Sequence, residues 1–171
     1  MADGFTVNAR RYDPYKNYKF RVFMDGKNDP IMGVSKVGAL KRTVEVVKHR
    51  HGNMASYEHK SPGKTTYDGI TMERGVTHDL EFEKWASTVH DPNGDALMDL
   101  AGYKKDLTLE VMNEQDQVAK RYFLRDCWVS EFTSLPDLDA GANAVAIESL
   151  KIEMEYWERD GDTTEPDETA G

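Results

Sequence analysis

The pattern of apolar and polar residues is clearest in the middle of the chain, at SPGKTTYDGITMERG. Pro62 and Gly63 predict a turn at the start of this segment. Apolar and polar residues then alternate from Tyr67 to Arg74, as in a strand that buries one face. Gly75 ends the alternation. The segment therefore predicts a turn, a strand and a glycine corner in succession.

A short amphipathic helix is predicted directly after that corner. Thr77 and Asp79 are favourable N-cap residues. Leu80, Phe82 and Trp85 fall near the spacing of one helix face. We therefore expect these three side chains to be buried where the helix packs on a sheet.

Alternation also predicts six further strands, which are 18–22, 31–37, 43–50, 107–111, 118–129 and 145–157. In the last of them the apolar positions change from odd to even numbers, which predicts a β-bulge near Glu148 and Ser149. The segment between His51 and Lys64 has no periodicity, and a loop of roughly a dozen residues is uncommon unless it has a function. The strands and the helix predict a mainly β, mostly antiparallel sandwich or barrel.

Composition narrows the class of protein. The chain has 171 residues, 39% of them hydrophobic, which is enough for one domain with a core. Its net charge is −9, of which −5 lies in residues 158–171, so residues 1–157 carry only −4. Neither part has the clustered Lys and Arg of a nucleic-acid surface. We expect no membrane segment, and the single cysteine is typical of a reducing compartment.

Candidate catalytic and metal-binding residues are few. His49, His51 and His59 lie close in sequence, and two of them could ligate a metal, but neither a cysteine nor a carboxylate at a fixed spacing completes a set. Cys127 lies in the predicted strand 118–129, and no histidine is nearby in sequence. This favours an inert thiol over a nucleophile. We therefore expect no enzyme activity, no metal and no cofactor.

Three segments carry a resemblance to a known family: YKFRVFMDG, then IMGVSKVGALKRTVEVVKHRHG with SPGKTTYDGITMERGVTHDLEFEKW, then DCWVSEFTSLPDLDAGANAVAIESLKIEMEYWER. Together they resemble the tail-tube (inner tube) proteins of contractile phage tails and extracellular contractile injection systems. The resemblance covers most of residues 15–159. Residues 1–14 and 160–171 lie outside it, so we expect an N-terminal arm, one tail-tube β domain and a disordered acidic tail.

The resemblance implies a two-sheet antiparallel β-barrel with one flanking helix. It also implies hexameric rings that stack into a tube, which a contractile sheath drives through a target envelope while the lumen conducts cargo. Partners would be other copies of the chain, the sheath protein, and baseplate and cap proteins. The expected place of synthesis and assembly is the cytoplasm, and the product is an injection particle or a virion tail.

Two sets of residues are candidates for the working surfaces of such a tube. The residues expected to contact the next ring are His51, Asn53, Met54, Tyr57, Glu58, His59 and Lys60. The residues expected to face the lumen are Thr71, Glu73, Lys151, Glu153 and Glu155.

An alternative stays open at this point. The chain is then a monomeric β-sandwich that binds a small molecule or a glycan on a platform of Trp128, Tyr156 and Trp157. Within the resembled family, a tube-initiator paralogue at the baseplate is a second alternative. The sequence does not distinguish a phage tail from an injection system.

Overall fold

The computed structural model describes residues 14–53, 56–94 and 99–166, which form nine strands and one helix. The elements are β1 (Phe20–Met24), β2 (Val34–Val37), β3 (Arg42–His49), β4 (His59–Tyr67), β5 (Ile70–Gly75), α1 (Glu81–Ser87), β6 (Lys105–Met112), β7 (Val118–Thr133), β8 (Ile147–Glu153) and β9 (Tyr156–Arg159). None of the described residues form a helix long and apolar enough to span a bilayer.

Two sheets share the long strand β7. The first sheet contains β1, β6, the first part of β7, and β9. The second sheet has the order β2, β5, β8 and the last part of β7. All these pairings are antiparallel, and β3 and β4 form a separate hairpin. The predicted mainly β, two-sheet antiparallel fold with one flanking helix is confirmed.

The chain passes from one sheet to the other at Asp126. This residue has a left-handed backbone with φ 54°, and its N–H donates to the Asp106 carboxylate over 2.9 Å. A left-handed residue bends a strand and can turn it into a new sheet. The last segment changes sheet at the same level, because Glu153 pairs with Trp128 whereas Tyr156 pairs with Arg125. The single strand predicted for 145–157 is therefore two strands, β8 and β9.

The core lies between the two sheets and under α1. Strand residues of both sheets supply it, and the strand members of this hydrophobic cluster that are less than 4% exposed are Val22, Met24, Ile70, Met72, Leu107, Leu124, Cys127, Leu150 and Ile152. The helix adds Phe82 and Trp85, which are fully buried. The indole Nε1 of Trp85 donates to the Tyr103 carbonyl over 3.1 Å, so the ring is held in one orientation.

The prediction that Leu80 is buried is wrong, because this side chain is 51% exposed. The helix begins at Glu81, so Leu80 precedes it and the helical period does not apply to it. The N-cap is Leu80 rather than Thr77 or Asp79, although the Asp79 carboxylate accepts the Glu81 N–H over 3.0 Å from the position before it.

The predicted turn at Pro62 and Gly63 is also wrong. Both residues lie inside β4, where Pro62 is opposite Val46 and a register shift separates that pair from the next. Proline is tolerated at bulges and on edge strands, which is the situation in a two-stranded hairpin. The predicted loop 51–64 accordingly contains the first six residues of β4, and the connection between the strands is 50–58.

The β-bulge predicted near Glu148 is absent, because β5 and β8 pair in continuous register from Gly75–Ile147 to Ile70–Ile152. Glu148 points into the core and is 6% exposed, in phase with Leu150. Its carboxylate forms a salt bridge with the Arg74 guanidinium, directly opposite on β5. The irregularity lies instead on β7, between Val129 and Glu131.

Candidate functional site

The hairpin β3–β4 projects from the body and is exposed along almost its entire length. Val44, Val46 and Val47 are 40–55% exposed although they lie in a strand. At the base of the hairpin the ring of Tyr67 meets the ring of Trp157 edge-on at 5.9 Å. Because a two-stranded hairpin is marginally stable alone in water, such an apolar projection is typical of a surface that another chain covers.

The far end of the hairpin carries aromatic and cationic side chains. His49 and His59 are opposite each other and their rings stack at 5.4 Å. The ring of His51 lies 5.8 Å from that of His49, and the ring of Tyr57 lies 5.9 Å from that of His59. Over the residues that the structure describes, no group of His, Cys, Asp and Glu is arranged to hold a metal ion.

The residues predicted to contact a neighbouring ring are distributed along this end of the hairpin. His51 and Asn53 follow β3, Tyr57 and Glu58 precede β4, and His59 and Lys60 are its first residues. Met54 lies outside the described residues.

A polar face covers the outside of the second sheet. Thr71 is opposite Lys151, and Glu73 is opposite Ser149. Lys36 on β2 extends the face by an ion pair with Glu73 at 3.3 Å. This face therefore brings together several of the candidate lumen residues on adjacent strands.

The two remaining candidate lumen residues, Glu153 and Glu155, lie in different places at the end of β8. Glu153 stays on the polar face, 3.9 Å from the Lys151 ammonium. Glu155 lies beyond the strand and binds Lys104, which precedes β6. The hydrogen bond from Lys104 lowers the pKa of the Glu155 carboxyl. The structure therefore places Glu155 apart from the other four.

The second sheet has an edge strand at each side, and each of these two strands is paired on one side only. β2 is the last strand of the sheet and pairs with β5 alone in the described ladders. Residues 128–133 of β7 pair with β8, whereas the β7 ladder with β6 stops at Cys127 and the ladder with β9 stops at Arg125. Free strand edges favour pairing with another chain.

The loop between β7 and β8 forms a further surface, which was not among those predicted from the sequence. Residues 134–146 join β7 to β8 and expose Leu135, Leu138 and Val145 by 56–81%. Asp139 shapes the loop by accepting the Gly141 N–H over 2.9 Å. No periodic signal marks these residues, because isolated apolar side chains between glycine and proline resemble an ordinary linker.

No catalytic arrangement is evident among the described residues. The Cys127 thiol is fully buried, and burial raises its pKa to about 12, so the reactive thiolate is suppressed. The aromatic platform of the alternative interpretation is not assembled either. Tyr156 and Trp157 are consecutive in β9 and therefore point to opposite faces, and Trp157 packs between Tyr67 and Tyr122.

Comparison with known proteins adds a family and a set of similar structures. The family model described as "T4-like virus tail tube protein gp19" matches residues 16–158. A chain of the anti-feeding prophage baseplate is similar at 18% identity and a TM-score of 0.72, over 88% of this chain and 98% of that one. No curated protein is significantly similar in sequence.

Two further structures have the same fold. A chain of the sheath–tube complex of the extracellular contractile injection system PVC, in its extended state, is 20% identical, with a TM-score of 0.71 over 89% of this chain and 94% of that one. A chain of the anti-feeding prophage tube-terminating cap is also 20% identical, with a TM-score of 0.71 over 94% and 99%.

Proposed function

The chain belongs to the T4-like virus tail tube protein family as a structural tube subunit, and we propose that six copies form a ring and that rings stack into the inner tube of a contractile particle. The particle is a contractile phage tail or an extracellular contractile injection system. In this proposal the subunit acts mechanically rather than as an enzyme.

The observation that carries this proposal is the second sheet, which combines a polar outer face with two strand edges. If β2 of one copy pairs with residues 128–133 of the next, the sheet continues from subunit to subunit. Closing the ring then removes both free edges of the second sheet, which otherwise favour aggregation. A sixfold-symmetrised assembly among the structures of similar fold supports the number six.

The polar face would line the channel of such a ring. It carries the acids Glu73, Glu131 and Glu153 and the cations Lys36 and Lys151, a net charge of −1 per subunit. Six copies therefore give a mildly acidic bore. Such a wall disfavours adhesion of anionic cargo, so that cargo slides through.

The hairpin β3–β4 would make the contact between rings, using the residues 51, 53, 54 and 57–60 predicted from the sequence. Its exposed valines then become buried, which is a favourable contribution of about 25 cal/mol for each Å² of apolar surface. The expected partners beyond the tube are the sheath, the baseplate and the cap. Cytoplasmic synthesis and assembly belong to the same proposal.

Measuring the mass of the purified protein tests the ring. Native mass spectrometry should find six copies of the 19.4-kDa chain, about 116 kDa, together with larger multiples. Deleting residues 54–60 should leave a ring of six copies, lighter than the wild-type ring by the deleted residues, and remove the multiples. A monomer at every concentration would contradict the ring, and normal tubes from the deletion would contradict the role of the hairpin.

A further inference from the structure

The hairpin β3–β4 and the loop 134–146 leave the second sheet at opposite ends. The hairpin ends at Tyr67 and leads into β5 at Ile70, which pairs with Ile152 at the far end of β8. The other end of β5, Gly75, pairs with Ile147, directly after the loop. The Val76 N–H donates to the Ala146 carbonyl over 3.0 Å and holds the loop at that end.

Projections at opposite ends of one sheet cannot meet within one subunit. They can meet when identical subunits stack head to tail, because each hairpin then points at the loop end of the next copy. This is a heterologous contact, which does not close and so generates a filament. β3 has eight residues and reaches roughly 25 Å at about 3.3 Å per residue, which is long enough to cross an interface.

The two projections are complementary in charge. Residues 48–60 of the hairpin contain Lys48, Arg50 and Lys60 against the single acid Glu58, a net charge of +2. Their described side chains are all exposed. The loop 134–146 contains Asp137 and Asp139 and no cation, a net charge of −2.

The two projections are also complementary in polarity. The hairpin exposes Tyr57 by 62%, beside the exposed valines of β3. The loop exposes Leu138 by 72% and Val145 by 81%. Leu135 is a third exposed apolar residue in the same loop, and three such residues in one connection are unusual. Apolar side chains flanked by charges are typical of a surface that a protein partner covers.

We propose that the loop 134–146 is the docking surface for the hairpin β3–β4 of a second copy of this chain in the adjacent ring. The inference rests on the proposed tube function and adds to it the receptor of the ring-to-ring contact. Opposite charges set the polarity of the stack, and the apolar side chains of both projections supply the buried area.

Two charge-reversed variants test the docking. The loop variant is Asp137→Lys with Asp139→Asn, which keeps an acceptor for the Gly141 N–H. The hairpin variant is Lys48→Glu with Lys60→Glu, two residues that are opposite each other.

The matched control is Glu83→Lys, an exposed residue of α1 outside both surfaces. All these positions are exposed, so each variant should keep the wild-type urea midpoint.

Electron microscopy of the separate and mixed variants gives the result. Each variant alone should form rings whose stacking falls at least tenfold, because the hairpin and loop then carry like charges. Mixed rings should form tubes of alternating variants, since every contact is again between opposite charges. Asp137→Asn should shorten tubes several-fold, and Glu83→Lys should not change them.

Normal tubes from the loop variant alone, or no tubes from the mixture, would overturn the docking while leaving wild-type tubes intact. If the wild-type protein forms neither rings nor tubes, the proposed function fails and the docking fails with it. The two failures are therefore distinguished by the wild-type sample.

Discussion

Arg74 and Glu148 form a buried ion pair at directly opposite positions of β5 and β8. The Arg74 side chain is 1% exposed, and its guanidinium also donates to the Asp79 carboxylate over 3.0 Å and to the Asp79 carbonyl over 2.7 Å. The same group lies 4.0 Å above the ring centre of Phe82. One side chain thus joins the second sheet to the start of α1.

Removing one partner of this pair should be strongly destabilising. Glu148→Ala leaves the Arg74 charge buried without its partner on β8, which should cost about 3–5 kcal/mol. Arg74→Met combined with Glu148→Leu removes both charges and should cost less than Glu148→Ala alone. Urea unfolding of Arg74→Met, of Glu148→Leu and of the double variant measures this coupling. Additive costs would show that the pair does not act as a unit.

Trp85→Ala should cost about 3–5 kcal/mol, because it truncates a large side chain that is 1% exposed and hydrogen-bonded. Leu80→Ala, five residues earlier and 51% exposed, is the control and should change the free energy of unfolding by less than about 0.5 kcal/mol. Equal costs for the two variants would contradict the packing of α1 described above.

Asp79 should contribute to the acid sensitivity of the fold. The hydrogen bond from the Glu81 N–H, together with those from Arg74, lowers the pKa of the Asp79 carboxyl below its ordinary value of about 3.9. A lowered pKa means that the contribution is fully present above about pH 4 and is lost as the pH falls through the folded-state pKa.

Asp79→Asn should therefore be less stable than the wild type at pH 7, and the difference should shrink as the pH falls below about 4. Thermal unfolding from pH 7 to pH 2.5 measures it. A difference that is constant over this range would show that ionisation of Asp79 contributes nothing to stability.

Gly63→Ala should impair assembly more than folding. A Cβ at this position would lie 2.8 Å from Cγ2 of Val47 and 3.2 Å from the Glu45 carbonyl, so the two strands of the hairpin would have to separate. The body carries the core, so the free energy of unfolding should stay within about 0.5 kcal/mol of the wild type. Tube length should fall several-fold.

Gly161→Ala, outside both projections, is the control for this variant, because a Cβ there meets nothing within 4 Å. It should leave tube length unchanged. Equal tube lengths for the two variants would show that the hairpin geometry does not matter for stacking.

Alternation along the chain predicted the sheets well but failed where a polar residue is buried or a turn residue lies in a strand. A β-bulge was predicted near Glu148 because the pattern does not identify a carboxylate as an inward residue; such a residue is stable only with its partner, and Arg74 is 74 residues earlier. Pro62 and Gly63 predicted a turn because local preference cannot show that β4 lacks a second neighbour. Both errors arise because the deciding feature is how segments distant in sequence are arranged relative to one another.

The candidate surfaces show the same limit. The alternation of β5 and β8 correctly grouped Thr71 with Lys151, because residues two apart in a strand share a face. It also grouped Glu155 with them, although the chain leaves the second sheet before that residue. The loop 134–146 was missed as a surface, since its importance follows from its position opposite the hairpin.

Cryo-electron microscopy of the assembled wild-type protein tests the central claim most directly. The account predicts a hollow tube of stacked six-membered rings in which Thr71 and Lys151 face the bore and the hairpin β3–β4 crosses to the adjacent ring. A solid filament, a tube with Thr71 and Lys151 on its outer wall, or isolated monomers would contradict it.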